Sequence, residues 1–247
     1  MLRDSLNTIE GYQEIIQFDN QAIKKLKEKI TDLLICEEKG IQKFPLPNLE
    51  VIKNTKNTLL TYQYNLINAL YSSGENIQNV KEQYLATLES MQGVWRQSNG
   101  YVQMVWMLSI GIMLKTDETT FQKLKNLVEK DNPNDYLIDF LLSSKTDWQI
   151  KDTTFKFSEP YAALKEVIDL ANDNQKEKAT QRLKKYLDKE WYKGHSDTGW
   201  YNSHKSKHNI YTGYWSFESG ALVKILGLDD TLLKDQKYYP YDMVHWQ

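Results

Sequence analysis

The feature that most constrains this chain is an apolar stripe near its start. Ile9, Tyr12, Ile16, Ile23, Leu26, Ile30 and Leu33 recur at alternating spacings of three and four, and Asp19 holds the one seam position that is not apolar. A long helix puts such residues on one line, and so narrow a stripe is laid against a partner helix. Lys24, Lys25, Lys27, Glu28 and Lys29 fill the other faces and read as a solvated flank rather than a binding patch. Gly40 and Phe44-Pro45-Leu46-Pro47 end the helix, because proline lacks an amide donor and restricts its predecessor. Ile52, Leu59, Tyr62, Leu66 and Ala69 repeat the spacing from about Leu49 to Ser73, and Gly74 supplies a stop. The expectation is an antiparallel hairpin of two long helices, with Asp19 pairing across the seam to set its register.

The rest of the chain reads the same way. With 11 glycines and 5 prolines in 247 residues, it has too few turn formers for a β-sandwich or barrel, and 40% hydrophobic residues suffice for a core. A third helical region runs from Ile77 to Leu114, bent or split near Gly93 or Gly100. Its apolar part, Val102–Leu114, is too short for a bilayer and is broken by Gln103, Ser109 and Gly111. Thr116-Asp117-Glu118 reads as an N-cap with acids in the first turn, opening a helix through Glu129, and Asn132-Pro133 starts another carrying Tyr136, Leu137, Phe140 and Leu141. Residues 143–158 lack a helical period and read as a loop or short strand. Glu159-Pro160 reopens a helix with proline in its first position, and Gln175 to Lys189 forms the next. An irregular aromatic segment, Trp191–Asn209, precedes a last helix, Tyr211–Leu226, stopped by Gly227. The fold class is all-α: long N-terminal antiparallel helices and a smaller C-terminal helical part, divided as 1–125 and 126–247 and packed as one unit.

Charge and cysteine narrow the function. The 31 basic and 33 acidic residues give a net charge of −2 without a Lys/Arg cluster, which argues against direct nucleic-acid binding. Cys36 is the only cysteine, so no disulfide forms within the chain, and the start Met1-Leu2-Arg3-Asp4-Ser5 lacks a signal-peptide core. The expected setting is the cytoplasm, away from membranes; self-association into a homodimer is left open.

Motifs for chemistry are sparse. His204 and His208 have the spacing of zinc ligands on a helix, with His195, His245 and Asp197 nearby in sequence, but Lys205 stands where a metallopeptidase has glutamate. Structural or solvated histidines are the preferred reading, so neither a metal nor another cofactor is expected. No nucleophile elbow, phosphate loop or dinucleotide fingerprint occurs. Glu218 is the one acid expected inside, sharing a helix face with Tyr214, Ala221, Leu222 and Ile225. A buried carboxylate must be hydrogen-bonded or paired. A tyrosine, histidine or lysine locking the Trp191–Asn209 segment is the preferred partner, and a hydrolase using Glu218 with the histidines is the alternative. A helical scaffold is a further one.

The block Tyr211-Thr212-Gly213-Tyr214-Trp215-Ser216-Phe217-Glu218-Ser219-Gly220-Ala221-Leu222, then Gly227-Leu228-Asp229-Asp230 and Tyr238-Tyr239-Pro240-Tyr241-Asp242, resembles the C-terminal domain of PoNi-type immunity proteins. Arg3-Asp4-Ser5 through Tyr12, Asp19 and Ile23 resembles that family's N-terminal domain. One departure is Ser219-Gly220, where the family more often has alanines; little effect is expected from it. The resemblance implies an all-helical protein, not an enzyme, that binds a cognate PoNe-type toxin, a DNase of the PD-(D/E)xK class delivered by a secretion system, and blocks its DNA-binding cleft. The family-motif residues Tyr214, Trp215, Glu218, Asp229, Asp230, Tyr239, Pro240 and Asp242 are then expected to hold the fold. A basic cleft calls for carboxylates. The candidates for facing the toxin are Asp135, Asp139, Asp147, Glu166, Asp169 and Asp173, of which Asp135/Asp139 and Asp169/Asp173 stack one turn apart.

Overall fold

The computed structural model describes residues 1–247. All regular structure is helical, and no strand is present. The chain divides into two compact units that are not successive halves: residues 1–95 with 203–213, and residues 96–202 with 214–247.

In the first unit, α1 (Ile9–Glu38) and α2 (Asn48–Ser72) form the hairpin, and α3 (Ile77–Met91) packs on α2. Thr8 starts α1 by accepting a hydrogen bond from the Gly11 amide at 3.0 Å. The seam centres on Ile23, Leu59 and Leu66, flanked by Ile16, Leu26, Ile30, Tyr62 and Leu70. The returning segment 203–213 is fastened to this unit by Asn209, whose amide donates to the Gly11 carbonyl at 2.9 Å and to Glu14 at 2.8 Å. Ser72 donates to the Thr212 carbonyl at 2.8 Å.

In the second unit, α4 (Gln97–Met113) is the central helix. Tyr101, Met104, Val105, Met107, Leu108, Ile110, Ile112 and Met113 are all buried. Around it lie α5 (Glu118–Lys130), α6 (Tyr136–Ser143), α11 (Phe217–Leu226) and α12 (Tyr241–Val244). The short α7 (Ser158–Tyr161), α8 (Ala163–Asn172), α9 (Lys176–Lys185) and α10 (Trp191–Gly194) complete the unit.

As expected, the Ile77–Leu114 region is split at Gly93, where φ is +76°, and it is kinked again at Gly100. Several other expectations are corrected. The helix expected from Asn132-Pro133 begins at Tyr136 instead, because Asp135 is its cap and accepts from the Ile138 amide at 2.9 Å. Pro160 follows a cis peptide, and Glu159 lies outside helical geometry, so the continuous helix begins at Ala163. Residues 186–190 form a π turn. The last helix starts at Phe217, not Tyr211; Tyr214 is buried but precedes it, so Tyr214 does not share a helical face with Glu218. Gly220 matters more than its small size suggests: a Cβ there would stand 2.4 Å from the Met113 sulfur and 2.9 Å from Pro240 Cγ.

Asp19 is buried at the seam, 3% exposed, but its Oδ2 has no hydrogen-bond partner, so the expected pairing across the hairpin is absent. Burial alone raises its carboxyl to about 7, from an ordinary 3.8. Between those values the folded chain holds a proton that the unfolded chain has released, so stability falls as pH rises and levels off above about 7. Asp19→Asn is expected to abolish that slope in denaturant titrations and to stabilise the protein above neutrality by roughly 1–3 kcal/mol. An unchanged pH profile would refute this account of Asp19.

Candidate functional site

The second unit gathers most of the buried polar chemistry. Glu218, in the first turn of α11, is fully buried. Its Oε1 accepts from the Tyr186 hydroxyl at 3.0 Å and from Ser216 Oγ at 2.7 Å, and Ser216 Oγ is 2.6 Å from Ser219 Oγ. Burial pushes the carboxyl above its usual range, and the Ser216 and Tyr186 hydroxyls pull it back. The tyrosine partner expected for Glu218 is thus present, but it comes from the π turn after α9, not from the Trp191–Asn209 segment.

His195 is the other deeply buried titratable group. Its Nδ1 lies 2.7 Å from the Trp191 carbonyl, which can only accept, so Nδ1 carries the proton. Nε2 then accepts from the Tyr161 hydroxyl at 2.8 Å. Burial holds this imidazole down at about 4, so it is neutral at physiological pH. Trp191 and Trp200 stack beside each other at 5.7 Å, and the His195 ring lies 4.9 Å from Trp191 and 5.0 Å from Trp200. With Glu218 fully buried and His195 2% exposed, neither is open to a substrate from solvent.

The other histidines are dispersed. His204 and His208 do not share a helix: the first lies in a 3-10 turn, Ser203–Lys205, and the second in the bend after it. Both line a polar cleft of about 300 Å³ with Asn7, Glu14, Lys207 and Asn209. His245 lies 3.0 Å from Asp230, and the Asp197 side chain is exposed. No group of three His, Cys, Asp or Glu side chains is arranged to ligate a metal.

The six acids proposed as a surface separate into two kinds. Asp135 and Asp139 are 0% and 1% exposed, which corrects their placement on a toxin-facing surface. Asp135 caps α6 and also accepts from the Tyr101 hydroxyl at 3.0 Å and the Lys156 amide at 2.7 Å. Asp139 accepts from Trp148 Nε1 at 2.6 Å and from the amides of Lys151 and Asp152 at 2.8 and 3.0 Å. Both carboxylates fasten the 144–157 loop. The sequence signal for Asp135 was its place just before the helical period; nothing in the sequence pointed to Trp148.

Asp147, Glu166, Asp169 and Asp173 are exposed. Asp147 pairs with Lys125 at 2.7 Å, which holds its carboxyl below the usual range. Glu166 pairs with Arg182 at 2.5 Å and Asp169 with Lys165 at 2.7 Å. Glu166, Asp169 and Asp173 follow one another along and just past α8 on its exposed side.

The family-like block holds the fold at most of its positions. Tyr214, Trp215 and Tyr239 are buried, and Pro240 leads into α12. Asp230 accepts from the Tyr239 hydroxyl at 2.6 Å, and Asp229 closes a turn on the Thr231 amide at 3.0 Å. Asp242 is exposed in the first turn of α12.

The fold is all-helical, and Tyr214, Trp215, Glu218 and Tyr239 of the family-like block are buried within it. The chain belongs to the PoNe immunity protein (PoNi) family: the N-terminal family profile matches residues 3–126 and the C-terminal profile residues 133–243. No curated relative matches the sequence. Among solved structures, it is similar to the crystal structure of protein PA2201 from Pseudomonas aeruginosa, with 16% identity, a TM-score of 0.64, and 99% of this chain and 97% of that one covered. That likeness establishes the fold.

Asp135→Ala removes a helix cap and strips two further donors of their acceptor. It is expected to destabilise the protein by about 2–3 kcal/mol in denaturant unfolding. Asp173→Ala, at an exposed site, is expected to change stability by less than roughly 0.5 kcal/mol.

Proposed function

We propose that this protein neutralises a cognate PoNe-type nuclease by binding its toxin domain and closing the cleft that receives DNA. Membership of the PoNi family along nearly the whole chain carries this reading. The protein acts as a stoichiometric inhibitor and makes no contact with nucleic acid.

Charge supports it locally rather than globally. The second unit has 21 acidic and 19 basic residues; with Asp135, Asp139, Glu218 and Asp230 buried, 17 acids remain against 19 bases. A basic cleft would therefore meet particular carboxylates, and the outward side of α8 offers Glu166, Asp169 and Asp173, with Asp147 as a further contact. Lys165 pairs with Asp169 at the surface, where an ion pair is worth only about 0–1 kcal/mol. The Lys125 and Arg182 side chains are largely covered, at 14% and 13% exposed, but the Asp147 and Glu166 carboxylates that they hold are open to solvent. Such complementarity accelerates encounter and selects the partner more than it deepens the final complex.

In cells that express a cognate PoNe-type nuclease, co-expression of this protein is expected to restore survival and intact DNA. Reversing the charge of Asp147, Glu166, Asp169 and Asp173 together should weaken toxin binding by roughly tenfold or more, mostly through a slower, less salt-sensitive association. Cell death and degraded DNA despite co-expression would defeat the proposal. An unaltered association rate in the fourfold variant would defeat the assignment of these four residues.

A further inference from the structure

The closed end of the α1–α2 hairpin is apolar on its outside. Leu34 and Ile35 near the end of α1, Ile41, Phe44 and Leu46 in the connector, and Leu49 at the start of α2 are 40–59% exposed. Their neighbours Leu33 and Cys36 are buried, so α1 is apolar on every side from Leu33 to Cys36. A helix of that kind is ordinarily covered all round.

The connector is held in shape. Asn48 donates to the Ile41 carbonyl at 2.8 Å, the Ile41 amide donates to the Cys36 carbonyl at 2.9 Å, and Lys43 pairs with Asp32 at 2.5 Å. Lys29 Nζ lies 5.2 Å from the centre of the Phe44 ring. Apolar groups fixed in this way lose little freedom on binding.

We propose that this end of the hairpin is where a second copy of the chain docks, in a two-fold symmetric dimer. Area and charge both favour that occupant. At roughly 150–200 Å² for a large apolar residue, the six exposures amount to about 500 Å² per protomer. That is enough for the apolar centre of an interface of about 800 Å² per partner, once a polar rim is added. A two-fold interface sets the same patch against itself, so a patch of one sign repels its own copy. Between residues 34 and 53 the charges are Glu37, Glu38 and Glu50 against Lys39, Lys43 and Lys53, a neutral rim in which each acid can meet a base of the other copy. A basic nuclease would select an excess of acids, and this end has none.

Sedimentation velocity of the full chain across a concentration series tests the proposal, with Leu46→Asp/Leu49→Asp as the interface variant and Leu232→Asp, equally exposed in the other unit, as the control. All three positions are at the surface, so unchanged melting temperatures are expected. The native chain and the control should move to the mass of two chains as concentration rises, and the double variant should stay at the mass of one. A native chain that is monomeric throughout overturns the proposal, as does a double variant that still dimerises. Binding of the cognate nuclease is measured in parallel. A monomeric native chain whose double variant loses nuclease binding would assign this surface to the toxin instead and overturn the dimer, whereas a dimer that forms in a protein failing to bind any nuclease leaves this inference standing.

Discussion

A helix that is apolar nearly all round has to be covered all round, and α4 imposes that requirement on the whole second unit. From Met107 to Met113 every residue is buried, and in the first half of the helix only Val102, Gln103 and Trp106 after Tyr101 are partly open. α11 approaches so closely that a glycine is needed at position 220, opposite Met113, and the turn at Pro240 closes over the same spot. The covering layer is made of short pieces rather than long helices, so many backbone amides in it lack helical partners. Those amides need acceptors, because an unpaired buried N–H costs about as much as a lost hydrogen bond. Asp135 and Asp139 are the answer along the 144–157 loop: between them they accept from the amides of Lys151, Asp152 and Lys156 and from the Trp148 indole.

Carboxylates thus serve two different ends in one unit. A buried acid is tolerated where several donors converge on it, as at Asp135, Asp139 and Glu218, and such a residue is lost to recognition. The acids that we propose meet a partner, on the outward side of α8 and at Asp147, have exposed carboxylates, Asp169 pairing with Lys165 at the surface and Asp147 and Glu166 with the more covered Lys125 and Arg182. An electrostatic account built on net charge would overlook this separation, because the total of −2 says nothing about which acids face water.

The periodic parts of the chain were legible in the sequence, and the irregular parts were not. The stripe from Ile9 to Leu33 lies within α1 and begins where it does, Thr116-Asp117-Glu118 marked the start of α5, and Gly227, with φ at +58°, stopped the last helix as expected. These depend on local rules of spacing and capping. The burial of Glu218 was legible too, since its place in an apolar period left it nowhere else to point. Its partner Tyr186 was not, because a contact across 32 residues is decided by how helices pack. Asp135 and Asp139 failed for the same reason: two acids one turn apart look like a charged surface until the loop that folds over them is known. The histidines at 204 and 208 were misleading in the opposite sense, as their spacing has meaning only on a helix and the chain turns there.

The two units treat a buried acid differently, and the contrast bears on what each is built for. In the second unit Asp135 and Asp139 have donors on both carboxylate oxygens, and Glu218 has two on Oε1, although its Oε2 has none. In the first, Asp19 sits in the seam with no donor at Oδ2, and the helix that carries it ends in an apolar tip that its own hairpin leaves uncovered. A polar residue at one seam position weakens a helical pair while restricting which register and which partners it accepts. The hairpin therefore gives up stability in its middle and leaves apolar surface open at its end. Both are costs in a chain that acts alone, and both become consistent with one another when the hairpin is an element of assembly.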